Sequence, residues 1–149
     1  MVIVKYKINL KLIIILDLYI QILQIKKFCL LELKSSITLK IKGKGYNHIF
    51  GYENDQKFNR SYYPNEVYIN GQKQDSVNYS YYFQNDSNSV ELIWNNSIKS
   101  CRQMFRNCSQ ITEVDLSNFN SSEILDINSL FFNCFSLTSV NFSILILQK

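Results

Sequence analysis

A passage repeated at an interval of 26 residues constrains this chain more than any other feature. The first copy runs from Met104 to Ser117 and the second from Leu130 to Ser143. Phe, Asn, Cys, Thr, Val and Ser recur at the same offsets, and the remaining apolar positions exchange one apolar residue for another. A fixed period of roughly 20–50 residues is the sequence signature of stacked repeats. The interval therefore predicts a short solenoid.

The repeat begins with a shorter unit at Val90, before the first copy, and each unit should contain an extended triplet, a turn and a short helix. The triplets are residues 90–92, 114–116 and 140–142, and they should pair side by side in parallel. Ser122 is expected to cap the helix of the complete unit, with Glu123 in its first turn. Apolar residues follow at helical spacing, and they are Ile124, Ile127, Leu130, Phe131 and Cys134. Asn96 would cap the equivalent helix of the earlier unit.

These residues resemble the BspA-type leucine-rich repeat family, which occurs in surface proteins of bacteria and protists. The family pattern, Met-Phe-x-x-Cys-x-x-Leu-x-x-Leu-Asp-Leu-Ser-Asn-Phe-Asn-Thr-Ser, resembles residues 104–122, and the resemblance extends over about residues 90–143. It implies a leucine-rich solenoid with a surface or adhesion role. An ordinary leucine-rich repeat has Asn or Cys at the position of Phe119, where it bonds the turn backbone, so this chain should have a column of aromatic rings there. The last unit no longer follows the family pattern after Ser143.

Equivalent positions of stacked copies should form columns, with Phe105 beside Phe131 and Cys108 beside Cys134. The four cysteines are at positions 29, 101, 108 and 134. We expect the repeat cysteines to be small buried apolar residues, with a Cys108–Cys134 or Cys101–Cys108 disulfide as the alternative. Zinc is disfavoured and no cofactor is expected, because closely spaced cysteine pairs are missing and His48 is the only histidine.

Residues 35–89 are expected to form a small antiparallel β unit that caps the repeats. Ile37, Leu39 and Ile41 alternate with polar residues, which is typical of a half-buried strand. Asn70-Gly71 predicts a tight hairpin after a strand that begins at residue 66. Strands are also expected at 79–83 and 90–94, separated by a turn-rich stretch at 84–89, and a polar loop at 52–65. The tyrosines of this unit are better explained by packing than by a sugar or peptide platform.

Residues 1–34 carry an apolar run from Leu12 to Ile25 that Asp17 interrupts. It is too short and too polar for a clear membrane span, which needs roughly 20 largely apolar residues. Three interpretations stay open: a degenerate signal or membrane anchor, an apolar helix packed on the domain or a partner, and a wrongly assigned start. The predicted helix covers about residues 12–33.

The predicted architecture is therefore α/β, with an apolar segment at 1–34, a β unit at 35–89 and truncated repeats at 90–149. Residues 1–60 carry a net charge of +7 and residues 61–149 a net charge of −3. A nucleic-acid partner is disfavoured, because the repeats offer no basic stripe.

The strand positions that alternate with the apolar ones should form a polar strip on the concave face of the stack. Its residues are Ser89, Glu91, Glu113, Asp115, Ser139 and Asn141. Solenoids bind partners on this face, so the strip is the candidate contact surface for a protein or a glycan. Catalysis is not expected. Nothing in the sequence shields the carboxylates of Glu113 and Asp115 from solvent, and the sequence has no nucleophile-elbow motif that would place a serine beside His48.

Seven Asn-x-Ser sequons favour a secreted or cell-surface chain, although the repeat pattern itself fixes some of them. The sequons begin at Asn59, Asn78, Asn85, Asn95, Asn107, Asn120 and Asn141. The leading hypothesis is a non-enzymatic surface protein that binds through its strand face. A cytoplasmic interaction scaffold is the alternative, and a fragment of a longer repeat protein is the third.

Overall fold

The computed structural model describes residues 15–24, 34–51 and 58–142. The chain divides into two units, Met1–Leu33 and Lys34–Lys149. Residues 15–24 of the first unit are helical, and they lie within the helix predicted for about residues 12–33. The remaining residues of that prediction, and the tail beyond residue 142, lie outside the described residues. In the described parts of the chain, no helix is long and apolar enough to cross a bilayer.

The second unit is built on a six-stranded sheet and a two-stranded sheet. The large sheet has the order β4-β3-β6-β1-β7-β8, and the small one pairs β2 with β5. The strands are β1 (Ser35–Lys42), β2 (Gly45–His48), β3 (Glu66–Ile69), β4 (Gln72–Lys73), β5 (Ser80–Phe83), β6 (Ser87–Trp94), β7 (Ile111–Asp115) and β8 (Ser139–Asn141). A single 3-10 turn, Arg60–Tyr62, lies in the described part of the predicted polar loop.

The hairpin prediction is confirmed. β3 and β4 pair antiparallel, with Ile69 opposite Gln72. The two residues between them both have positive φ, 50° at Asn70 and 81° at Gly71, as a type I′ turn requires. The alternation of Ile37, Leu39 and Ile41 is also confirmed, because all three side chains are buried and the residues between them face outward. The expected break at 84–89 is wrong in part, since β6 begins at Ser87.

The predicted α/β solenoid of parallel strands is wrong. β1 lies between β6 and β7 and is antiparallel to both, so that Leu39 is opposite Val90 on one side and Val114 on the other. Residues 90–92 and 114–116 therefore run in the same direction but never pair. The sheet is mostly antiparallel, and among its strands in the described residues β7 and β8 are the one parallel pair.

The last two copies do lie against each other at the repeat interval. Val114 pairs with Val140 and Asp115 with Asn141, and the rings of Phe105 and Phe131 stack 5.6 Å apart with only 5° between their planes. The threonine of each copy contributes as well, because Thr138 donates through its backbone and its hydroxyl to the carbonyl oxygen of Thr112. This contact is one pair of turns at the edge of an antiparallel sheet.

The helices predicted in each copy are replaced by successive tight turns. The N–H groups of Met104, Arg106 and Cys108 each bond to the carbonyl three residues earlier, which closes turns and not helical rings. The alternate N–H groups instead bond to the carbonyl oxygens of the residues 25 places later. The donors are Cys101, Gln103, Phe105 and Asn107, and the acceptors are, in the same order, Asp126, Asn128, Leu130 and Phe132. Positive φ values recur at equivalent places, 62° at Asn107 and 61° at Asn133. Such values end helical propagation, and asparagine tolerates them better than most residues.

One buried core joins the sheet to these turns. Strand residues such as Leu39, Val90 and Val114 pack in the same cluster as Met104 and Phe105, which are fully buried. The chain passes closely at Gly51, whose N–H bonds to the carbonyl of Met104. This packing fixes one face of the large sheet against the core and leaves the other face polar.

Candidate functional site

The six residues predicted for the polar strip share the outer face of the large sheet. Directly opposite residues of neighbouring strands point to the same face, and the register places them in two rows. The first row is Glu91, Thr38, Asp115 and Asn141, and the second is Ser89, Lys40, Glu113 and Ser139. We call these eight residues the polar face.

Thr38 and Lys40 are the members of the polar face that sequence reasoning missed. They separate Ser89 and Glu91 from the repeat residues because β1 lies between β6 and β7. Lys40 is exposed and adds a positive charge between Ser89 and Glu113. The alternating pattern of residues 37–41 correctly predicted that the side chains of Thr38 and Lys40 face solvent. The residues adjacent in sequence gave no indication of which strands β1 pairs with. The strip is therefore mixed in charge.

Asp115 is a carboxylate of the polar face that accepts hydrogen bonds from two neighbouring residues. Its Oδ1 accepts the backbone N–H of Ser117 at 2.8 Å and the side-chain Nδ2 of Asn141 at 3.1 Å. These bonds, that from the Ser117 backbone first, lower the pKa of Asp115. The carboxylate is thus ionised and held in one orientation beside Asn141, which belongs to the second copy.

A second hydrogen-bonded group extends the first row toward the other edge of the sheet. Tyr68 lies opposite Glu91, and its hydroxyl donates to Glu66 Oε2 at 2.8 Å. Lys73 Nζ lies 3.2 Å from the same carboxylate oxygen. The Tyr68 hydroxyl and then Lys73 lower the pKa of Glu66, while the pKa of Tyr68 is raised by its bond to that carboxylate. The row thus continues as a network of paired charges.

The part of the polar face on β1, β7 and β8 forms an open groove of about 270 Å³. Side chains from three strands line it, among them Thr38, Lys40, Glu113 and Asn141. The groove is wide and open to solvent, and none of its ionisable groups is enclosed. It offers carboxylates, an ammonium, hydroxyls and an amide for contact with a polar surface.

The repeat cysteines belong to the core. Cys101 and Cys108 are buried, Cys134 is half-buried, and all three are free thiols. Burial raises the pKa of Cys101 to about 12 and that of Cys134 to about 11, and it raises that of Cys108 well above its usual range. Thiols with such pKa values are protonated and weakly nucleophilic at neutral pH.

Phe119, where the sequence predicted an aromatic column, packs edge-to-face against Trp94, with ring centroids 5.7 Å apart.

His48, the one histidine of the sequence, lies on β2, and its ring contacts that of Tyr79 edge-on, with centroids 5.3 Å apart. Among the described residues, no three His, Cys, Asp or Glu side chains come together in a way that could hold a metal ion.

In comparisons with known proteins, no protein-family model, no curated protein and no solved structure matches the chain. The resemblance to BspA-type repeats therefore depends on the repeat residues alone.

Proposed function

We propose that this chain is a non-enzymatic, surface-associated protein that binds a protein partner through its polar face. One observation carries the proposal: the residues predicted for contact from the repeats, although β1 divides them, form continuous rows on one open face. Three carboxylates flank a single lysine there. Such a pattern favours a partner with complementary charges, since charge complementarity sets orientation and association rate.

The shape of the polar face supports a protein and not a small substrate. Substrate pockets are concave and bury most of their ligand, whereas this face is an open sheet surface. Hydrogen bonds lower the pKa of Asp115 on this face, so this carboxylate is ionised at neutral pH and cannot act as a proton donor. Recognition needs neither enclosure nor an acid–base pair.

A photo-crosslinking residue at Thr38, in the middle of the polar face, tests the binding claim in the source cells. We expect Thr38 to form an adduct with a discrete protein, and the adduct should weaken when Glu113→Lys is added. The control is the same crosslinker at Glu123, an exposed residue on a turn outside the face. An adduct carrying only glycan would replace the protein partner with a carbohydrate, and equal labelling at both positions would refute binding through this face.

Surface association is supported by the placement of the sequons. The asparagines of all seven are exposed, and every one except Asn141 lies outside the polar face, so the other six could carry an oligosaccharide without covering that face or unfolding the core. Glycosidase treatment with surface labelling of intact cells tests this part of the proposal. A mobility shift and surface labelling are expected, whereas an unglycosylated chain found only inside the cell would favour the interaction scaffold.

Membrane association through the first unit is part of the same proposal. In the helix of residues 15–24, Asp17 Oδ2 accepts a bond from Gln21 Nε2 at 3.2 Å, and Gln24 follows on the same side. The large apolar side chains around this polar stripe are between 45% and 62% exposed. Such a helix can lie in a lipid interface. Flotation with anionic vesicles should be lost in Leu16→Glu, with Asp17→Glu as the matched control; flotation by both would contradict the assignment.

A further inference from the structure

A second surface of the larger unit is built mainly from amide side chains. It is a pocket of about 390 Å³ where the β3–β4 hairpin meets the β5–β6 turn. Its walls include Tyr82 and six amide residues, which are Asn70, Gln72, Gln74, Gln84, Asn85 and Asn88. We call this the amide pocket. It shares no residue with the polar face.

The floor of the amide pocket is fixed by hydrogen bonds. Asn70 Nδ2 donates to Asn88 Oδ1 at 3.1 Å, and Asn70 Oδ1 accepts the backbone N–H of Ser89 at 2.9 Å. Asn88 is buried and donates in turn to the carbonyl of Asn85 at 2.8 Å. These bonds tie the hairpin to β6, so the pocket is already formed without a ligand.

The rim presents amides that have spare hydrogen-bonding capacity. The side chains of Gln72, Gln84 and Asn85 are exposed, and they make no hydrogen bond to another described residue. Each amide offers two donors and one acceptor oxygen. The rim therefore matches a ligand that donates and accepts at closely spaced positions.

An exposed aromatic pair stands beside these amides. Tyr82 is 61% exposed and Tyr46 is 79% exposed, and their rings meet edge-to-face with centroids 5.3 Å apart. Exposed tyrosines of this kind provide flat apolar area while the rings keep each other in place. The tyrosines that pack against the core, such as Tyr62 and Tyr79, are not of this type.

The lining excludes two ligand classes. An apolar ligand would cover the amides without bonding them, and buried polar groups left unpaired are costly. A strongly charged ligand would find no Lys, Arg, Asp or Glu in the lining. A neutral polyhydroxylated ring satisfies both conditions, because its hydroxyls pair with amides and its C–H face packs on an aromatic ring.

We propose that the amide pocket binds a neutral oligosaccharide, with Tyr82 as the stacking platform and Gln72, Gln84 and Asn85 as hydrogen-bonding residues. Its volume lies within the roughly 300–1,000 Å³ of small-ligand sites, which suits one or two sugar rings. The site is independent of the polar face, so either proposal can fail alone.

The test uses the full chain produced in bacteria, so that Asn85, a sequon residue, carries no glycan. Cellohexaose, maltohexaose and chitohexaose are titrated while amide shifts are followed by NMR, with a heparin hexasaccharide as the charged comparison. We expect at least one neutral hexasaccharide to shift the side-chain amides of Gln72, Gln84 and Asn85, and the heparin fragment to leave them unchanged.

Variants distinguish the loss of the Tyr82 ring as a binding surface from a general loss of folded structure. Tyr82→Ala and Gln84→Ala should each raise the dissociation constant at least about threefold. Tyr82→Phe, which keeps the ring, should bind more tightly than Tyr82→Ala. Glu123→Gln, on an exposed turn outside both surfaces, should leave the dissociation constant unchanged. The proposal is overturned if no neutral hexasaccharide shifts the pocket amides, or if Tyr82→Ala binds like the wild type. Complete glycosylation of Asn85 in the source protein would also overturn it, because the attached glycan would fill the pocket.

Discussion

Replacing Phe105 by alanine should be among the most destabilising single changes in this chain. The ring is fully buried, it stacks on Phe131, and the residue's own N–H bonds to the carbonyl of Leu130 in the second copy. A buried phenylalanine removes about 150–250 Å² from water, and truncating one to alanine typically costs about 3–5 kcal/mol. Since whole domains have stabilities of roughly 5–15 kcal/mol, the loss should be a large fraction of the total.

Phe132 provides a matched control in the same row of turns. Its ring is 51% exposed and carries the guanidinium of Arg106 at 5.2 Å. Phe132→Ala should therefore cost less than about 1 kcal/mol. Urea unfolding followed by circular dichroism measures both variants. With a slope of about 1–3 kcal/mol per molar urea, Phe105→Ala should lower the midpoint by at least about 1 M. Equal losses for the two variants would refute the stacking of the copies.

Cys101 and Cys108 should resist iodoacetamide at neutral pH until urea unfolds the chain, because burial keeps both thiols protonated; rapid labelling of the folded protein, read by peptide mass mapping, would contradict this packing. The backbone N–H of Asn128 and the guanidinium of Arg102 lower the pKa of Asp126 below its usual value of 3.8. The stability that the ionised carboxylate contributes is therefore lost as the pH falls through the lowered pKa. Asp126→Asn removes this contribution, so the variant should lose less stability in acid than the wild type. Urea titrations along a pH series test this, and unchanged acid sensitivity would count against it. Gly51→Ala should destabilise the protein more than Gly71→Ala in the same urea assay. A Cβ at position 51 would lie 2.6 Å from the backbone oxygen of Gln103. At Gly71 there is open space, and the cost of alanine is the positive φ of 81°, about 1–2 kcal/mol. The reverse order would show that the close passage at Gly51 is misplaced.

Local patterns predicted single elements of this fold, although the predicted solenoid is wrong. Period-two alternation located β1, and Asn70-Gly71 located the hairpin, because each depends on residues adjacent in sequence. The interval of 26 residues correctly paired β7 with β8. These features need no information about distant strands.

The insertion of β1 between β6 and β7 could not be read from the repeat alone. The first triplet precedes the second by 24 residues and not 26, and this shorter spacing was the only sequence signal that residues 90–92 belong elsewhere. Strand neighbours are chosen by packing across the whole sheet, here the fit of Leu39 between Val90 and Val114.

The turns were mistaken for helices because apolar spacing fits both. The apolar side chains recur every three or four residues in either case, and the difference is in the backbone, where Asn107, Asn133 and their counterparts adopt positive φ. The amide pocket was also missed, since its residues come from two turns about 15 residues apart that only the folded sheet brings together.

The position of β1 is the central claim, because it overturns the solenoid and places Lys40 in the polar face. Backbone NOEs in the isotopically labelled chain test it most directly. The structure predicts cross-strand NOEs from Thr38 and Leu39 to residues 90–91 on one side and to residues 114–115 on the other. Direct backbone NOEs between residues 90–92 and 114–116, with none to β1, would contradict it.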